Sequence, residues 1–176
     1  MFPIKIKNKA EKVVKLCLKK KIKLAFSESC TGGLLSSLIT SFPNSSKIFS
    51  CGYITYSNLS KEKMLGISKK KLKKYGAVSK AIAGSMAESA AVKANADIGI
   101  GITGIAGPGG ATKNKKIGEV YAVLYRYNKS KILQRRGDKL SYPIATPFSN
   151  TTSRENVRLA SVDIALNLLL QELELV

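Results

Sequence analysis

Ile22-Lys23-Leu24-Ala25-Phe26-Ser27-Glu28-Ser29-Cys30-Thr31-Gly32-Gly33-Leu34-Leu35-Ser36-Ser37-Leu38-Ile39-Thr40-Ser41 divides into three pieces. Residues 22–27 read as a strand. A short polar turn follows, and a helix runs from about Gly32 to Ser41, where Pro43-Asn44 ends it. Upstream, Ile6, Ala10, Val13 and Cys17, with Val14 and Leu18, recur at helical spacing among lysines, which predicts an amphipathic surface helix over 5–21. Downstream, Ile48 to Ser57 is rich in β-branched and aromatic residues and reads as a strand. Residues 59–75 read as one or two short lysine-studded helices, and Ser79 caps an alanine-rich helix running to about Asn95. The small face of that helix (Ala83, Ala87, Ala90, Ala91) suits close packing on a sheet or on a neighbouring subunit. Ile98 to Thr103 is a short apolar strand interleaved with glycine, strands near 117–126 and 130–136 form a hairpin around Asn128, and a polar loop over about 138–151 leads to a final helix over about 153–174. Helices alternating with strands predict an α/β fold: a layered α/β/α sandwich with a mixed sheet, one domain over residues 1–176.

Composition narrows the chemistry. The chain has 176 residues, 30 Lys+Arg against 11 Asp+Glu for a net charge of +19, and no histidine. Without histidine there is no Ser-His-Asp triad, no Cys-His pair and no His-ligated zinc. A serine nucleophile would need a lysine, carboxylate or tyrosine as its base. Cys17, Cys30 and Cys51 are an odd number without CxxC spacing, so neither a disulfide framework nor a zinc set is expected, and a reducing compartment is the default. Lysines interrupt residues 1–23 every few positions, which leaves no apolar run of signal-peptide or membrane length. The expectation is a soluble cytoplasmic protein. The charge fits a solvated surface or an acidic partner. Only five of the basic residues are arginine and only Tyr75 accompanies the run Lys69 to Lys74, a poor match to nucleic-acid readout.

Three stretches could carry chemistry. In Ser27 to Gly33, a hydroxyl between strand and helix can be exposed beside free helix-start N–H groups, which favour an anion or a developing oxyanion. Ser29 or Thr31 could equally be helix caps, and Cys30 is a rival nucleophile or a core residue. In Thr103-Gly104-Ile105-Ala106-Gly107-Pro108-Gly109-Gly110, four glycines after an apolar strand can offer several N–H groups to a phosphate, or simply form a turn. It matches neither a Walker A loop nor GxGxxG. In Tyr53-Ile54-Thr55-Tyr56-Ser57-Asn58, Lys61 falls just past a strand end, where α/β sites collect, although spacing does not separate it from Lys63.

Ser-Glu-Ser-Cys-Thr-Gly-Gly, Gly-Tyr-Ile-Thr-Tyr-Ser-Asn-x-x-Lys, Gly76-Ala77-Val78-Ser79 and Thr-Gly-Ile-Ala-Gly-Pro-Gly-Gly resemble, in order and spacing, the motifs of the CinA C-terminal domain family. That family includes nicotinamide mononucleotide deamidases of pyridine-nucleotide salvage, and the resemblance covers roughly residues 10–175. It is to the stand-alone form, without the nucleotide-pyrophosphatase-like domain of longer relatives. The resemblance implies hydrolysis of the carboxamide of nicotinamide mononucleotide to nicotinic acid mononucleotide and ammonia. By the same resemblance Ser29 is the nucleophile, Lys61 its general base and Tyr56 a proton-relaying or orienting partner. Cys30, Thr31, Gly32, Gly33, Thr103, Gly104, Gly107 and Gly109 contact the substrate, and an arginine of the last helix, Arg154 or else Arg158, holds its phosphate. It implies a homo-oligomer, and neither metal nor organic cofactor. This chain departs from the family pattern at Ser27, where alanine is usual, at Cys51, where glycine is usual, and at Thr152-Ser153 in place of Gly-Asp.

The residue chemistry agrees with that assignment. Amide hydrolysis without histidine needs an activated oxygen nucleophile, and a Ser-Lys pair is one solution. As base, Lys61 must be substantially neutral near pH 7, about 3 units below its reference value, and burial acts in that direction. The rival expectations are a nucleotide-binding sensor without amide chemistry, which would need no base, and a nucleic-acid-associated protein, whose binding would weaken steeply with salt.

Overall fold

The computed structural model describes residues 2–128, 131–140 and 153–175, with the backbone alone for 127–128 and 131–140. The chain runs α1 (Ile4–Lys20), β1 (Leu24–Glu28), α2 (Leu34–Thr40), a 3-10 turn (Ser45–Lys47), β2 (Phe49–Ile54), α3 (Asn58–Leu65), α4 (Lys69–Tyr75), α5 (Lys80–Lys93), β3 (Ile98–Gly104), β4 (Val120–Asn128), β5 (Lys131–Leu140) and α6 (Arg154–Glu174). The strands form one mixed sheet in the order β2-β1-β3-β4-β5, with β2, β1 and β3 parallel and β4 and β5 antiparallel. Helices cover both faces, as the alternation of elements predicted. The loop expected after the hairpin begins instead as the end of β5, and its remainder, 141–151, lies outside the described residues.

Three boundaries differ from the sequence expectation for local reasons. The first strand starts at Leu24 because α1 closes with Lys21 in the left-handed region and Ile22 N–H donating to Cys17. Gly32 and Gly33 both have positive φ, +61° and +91°, so α2 begins only at Leu34. The β2 strand ends at Ile54 because Ser57 is drawn off to cap α3 through a capping box with Ser60.

Central β1 is buried along its whole length, as a parallel strand covered on both faces should be. In β3 the alternation sorts by size. Ile98, Ile100 and Ile102 join the core under α1, α2 and α6, while Gly99 and Gly101 face α5. A Cβ on Gly99 would lie 2.0 Å from the Ala87 carbonyl oxygen, and one on Gly101 would lie 2.1 Å from that of Ala83. The backbone of α5 therefore rests directly on the strand, and its face of Ala83, Ala87 and Ala91 packs with Val123 and Tyr125 of β4. Of the two uses foreseen for that small face, the sheet takes it. Gly101→Ala should accordingly cost about 3 kcal/mol or more, because backbone rather than a flexible side chain must give way; a denaturant midpoint close to wild type would contradict this packing.

On the opposite face α6 lies against α1 and the sheet. Lys9 donates to Asp163 at 2.6 Å, and Arg126 of β4 meets the buried Glu172 at 2.9 Å. Among the described residues no helix is long and apolar enough to cross a membrane. The feature that positions a site is the sheet order. Neighbouring β1 and β3 end side by side, but the chain leaves β1 toward α2 and β2 and leaves β3 toward β4. Diverging exits open a crevice at the strands' carboxyl ends, where α/β folds bind ligands.

Candidate functional site

Ser29 is the first residue beyond β1, pinned by its N–H donating to the Ile102 carbonyl at 2.9 Å. Its hydroxyl does not cap α2, and neither does that of Thr31. The buried side chain of Glu28 performs that task. One of its oxygens, Oε2, accepts from Gly33 and Leu35 N–H, both at 3.1 Å. The other, Oε1, accepts from Ser36 N–H at 2.8 Å and from Ser36 Oγ at 2.7 Å. A carboxylate at a helix start satisfies orphan donors and complements the helix dipole. The capping role open to Ser29 in the sequence is thereby filled from the preceding residue, and Ser29 keeps its hydroxyl for the crevice.

Lys61 reaches that hydroxyl from α3. The capping box at Ser57 fixes the helix start, and Lys61 N–H donates to Ser57 O at 3.1 Å, so the side chain projects inward and is only 1% exposed. Its Nζ lies 3.0 Å from Ser29 Oγ and donates to the Thr55 carbonyl at 2.6 Å. Thr55 is itself held twice: its N–H donates to Glu28 O at 2.9 Å, and its hydroxyl shares a 3.3 Å hydrogen bond with that of Ser27. The Ser27 hydroxyl thus supports the strand end that orients the lysine. Burial pulls the Lys61 amine from 10.5 down to about 8, with an opposing influence from Cys30. Lys63, which spacing could not tell from Lys61, is exposed. Burial also pushes the Cys30 thiol up to about 11, which keeps it protonated near neutrality and makes it a poor rival to Ser29.

A cavity of about 280 Å³ opens over this pair. Ser29, Cys30, Tyr56, Asn58 and Lys61 line one side, Ala77, Val78 and the Thr103–Gly107 stretch line the other, and Gly109, Gly110 and Arg154 complete it. Thr103 donates its buried hydroxyl to Ala77 O at 3.0 Å and so fastens the 76–78 turn against the strand end. The Lys115 ammonium donates to Val78 O from the far side of that turn. In the glycine loop, Gly107 has φ +85° and leaves no room for a Cβ, which would meet Ile117 at 2.8 Å, while a Cβ on Gly109 would meet open space.

Not every expected residue reaches the cavity. Thr31, Gly32 and Gly33 lie behind its wall, in the turn that carries Ser29. Arg158 donates to the Thr31 carbonyl at 2.8 Å and lines a separate cavity of about 340 Å³ with Phe2, Leu34, Arg154, Glu155 and Leu159. Neither Ser29 nor Lys61 is among the described residues of that second cavity. Tyr56 is 61% exposed at the mouth of the first cavity, and its hydroxyl accepts from Arg154 Nη2 at 2.9 Å. The other guanidinium nitrogen, Nη1, donates to Gly107 O at 2.6 Å, so Arg154 ties the tyrosine to the glycine loop. Among the described residues Tyr56 bonds neither Ser29 nor Lys61. Sequence reasoning did not single out Glu28, the Thr55 carbonyl or Asn58. For Glu28 a signal existed: an acidic residue at the end of an apolar strand, just before a glycine turn and a helix, has orphan N–H groups within reach. Among the described residues no three His, Cys, Asp or Glu side chains cluster closely enough to hold a metal ion.

Known proteins share this arrangement of elements. A structure of a competence/damage inducible protein, CihA, from Agrobacterium tumefaciens superposes with a TM-score of 0.87 at 30% identity, covering 97% of both chains. A CinA superfamily protein from Escherichia coli gives 0.80 at 30% identity, over 94% of this chain and 89% of that one. A CinA-like protein of Prochlorococcus marinus subsp. pastoris is 42% identical over 160 residues, which is 91% of this chain and 35% of the relative. A putative competence-damage inducible protein of a Thermoanaerobacter strain is 53% identical over 111 residues, 63% of this chain and 27% of the relative. The chain thus spans about a third or less of the length of these curated relatives. Residues 6–173 match the model of the CinA C-terminal domain, and the chain belongs to that family.

Proposed function

We propose that this protein is an amidohydrolase that converts nicotinamide mononucleotide and water to nicotinic acid mononucleotide and ammonia, with Ser29 as nucleophile and Lys61 as general base. The observation that carries the reading is the buried Lys61 amine 3.0 Å from Ser29 Oγ. A lysine excluded from water and offered no carboxylate among its described hydrogen-bond partners gains little as a structural ion, whereas a Ser-Lys pair at an α/β crevice is suited to acyl transfer.

The chemistry follows from the hydrogen bonds. The neutral amine gives one N–H to the Thr55 carbonyl, which turns its lone pair toward the Ser29 hydroxyl. Ser29 Oγ attacks the carboxamide carbon as Lys61 takes the hydroxyl proton. The oxyanion meets the N–H of Cys30, beside Ser29 on the cavity wall. The Gly32 and Gly33 N–H groups are already committed to Ser29 O and Glu28. Lys61 returns the proton to the departing nitrogen, and ammonia leaves an acyl-serine. Water, deprotonated by the same amine, attacks the acyl carbon. The carboxylate is released as Ser29 regains its proton.

The substrate assignment is supported by Arg154 on the cavity wall, which has N–H groups beyond the two that hold Gly107 and Tyr56, and by the motif resemblance. The test is ammonia release from nicotinamide mononucleotide with EDTA present throughout; a folded protein that binds the nucleotide without releasing ammonia would refute the reading. Arg154→Ala should raise KM about 10- to 100-fold, the value of a charged hydrogen bond to phosphate, and leave kcat within a few-fold. Because Arg154 is exposed, Tm should hold. An equal effect on nicotinamide riboside, which lacks the phosphate, would show that Arg154 does not read that group.

A further inference from the structure

We infer that Glu28 is a positioning residue for the Ser29–Lys61 pair, locking the nucleophile through its side chain and the base through its main chain. The inference rests on the amidase reading above. Glu28 is 1% exposed, and its two oxygens take four hydrogen bonds from three residues of the α2 start. Its carbonyl accepts the Thr55 N–H at 2.9 Å, and the Thr55 carbonyl in turn holds Lys61 Nζ at 2.6 Å. One residue thus reaches both partners. A displacement of the α2 start moves Ser29, and a displacement of the β1 end moves Thr55 and the lysine with it.

Four donors converging on one side chain require an acceptor-only group with two oxygens. A glutamine has the same shape but turns an NH2 toward one pair of donors, so the helix start must shift. That shift carries the 29–33 turn with it, because Gly32 N–H is held on Ser29 O at 3.1 Å, and it draws the Ser29 hydroxyl away from Lys61. The carboxylate also fills the anion site of this helix start, so a substrate phosphate finds no vacancy there and is left to the arginine side of the cavity.

Glu28→Gln should lower kcat about 100-fold, the penalty for misplacing reacting groups by about 1 Å, with KM within about twofold. The pH midpoint of the rate should not move, because burial and not Glu28 depresses the Lys61 amine; a shifted midpoint would mean that Glu28 tunes charge, and would overturn the positioning role. A readout free of the substrate assignment is sulfonylation of Ser29 by a small sulfonyl fluoride, in which Ser29 Oγ displaces fluoride and its proton passes to Lys61, followed by intact mass. Wild type should label at Ser29 and Glu28→Gln about 100-fold more slowly, at matched far-UV circular dichroism. Equal labelling by a folded Glu28→Gln overturns the inference while leaving the amidase reading standing. No labelling of wild type overturns both. If Glu28→Gln does not fold, Ser36→Ala removes the 2.7 Å bond to Oε1 but keeps the carboxylate. It should then slow labelling several-fold, and an unchanged rate overturns the inference.

Discussion

Ser29→Ala is expected to lower kcat for ammonia release by about 10,000-fold or more while leaving the fold intact. The size follows from the role. A nucleophile and its base act as a unit, and removing either member of such a unit forfeits nearly all the covalent route. The survival of the fold follows from the cap. Because Glu28 rather than Ser29 holds the α2 start, the alanine variant loses, among the described residues, only the hydrogen bond with Lys61 Nζ. That contact is worth about 1 kcal/mol, or roughly 2–4 °C in Tm for a chain of this size. The pairing of a large kinetic effect with a small thermal one separates this reading from a structural serine, which would show the reverse. Ammonia release and a thermal melt on the same preparation decide it; activity above about 1% of wild type would remove Ser29 from the mechanism.

The strand–turn–helix at 22–41 was legible because its signals are local: an apolar run, two glycines and a proline stop. The same holds for the Ile-Gly alternation of β3, whose period of two sorts large and small residues onto opposite faces of one strand. What the sequence left open depends on which elements meet. Lys61 and Lys63 have identical side chains two residues apart on one helix, and only the tertiary placement of α3, which brings the first to Ser29 and the Thr55 carbonyl, buries it and leaves the second exposed. The small face of α5 read equally as sheet-packing or subunit-packing, and the 2.0–2.1 Å clearances at Gly99 and Gly101 are tertiary facts. Arg154 and Arg158 sit one helical turn apart, the first preferred over the second as the phosphate contact, and only the folded chain shows the first holding Tyr56 and Gly107 at the cavity while the second holds Thr31 behind it. Motif resemblance supplied the candidate residues, of which Thr31, Gly32, Gly33 and Arg158 do not line the cavity; it did not say that Tyr56 stands at the rim on Arg154, or that Glu28 takes the cap and so releases Ser29.

Lys61→Met is expected to lower kcat about 10,000-fold as well, and combining it with Ser29→Ala should add little, because the two residues form one proton-transfer unit. The wild-type rate should rise with pH through about 8 as the amine loses its proton. The same titration must also appear in stability, where no substrate is involved. In the unfolded chain the lysine titrates near 10.5, and in the folded protein near 8. Below pH 8 both states carry the proton, and the folded state bears the full desolvation cost. Between about 8 and 10.5 the folded protein releases a proton that the unfolded chain still holds, so unfolding takes up a proton and stability rises with pH. At about 1.4 kcal/mol per pKa unit, wild type should gain about 3 kcal/mol relative to Lys61→Met across that window. The comparison with the methionine variant matters because many other lysines titrate over the same range in both proteins and cancel in the difference. Denaturant midpoints at pH 7, 8.5 and 10 measure it. A flat difference would mean that the Lys61 ammonium is as well accommodated inside as in water, and an amine of that kind would have no cause to be neutral beside Ser29 and no means of acting as its base.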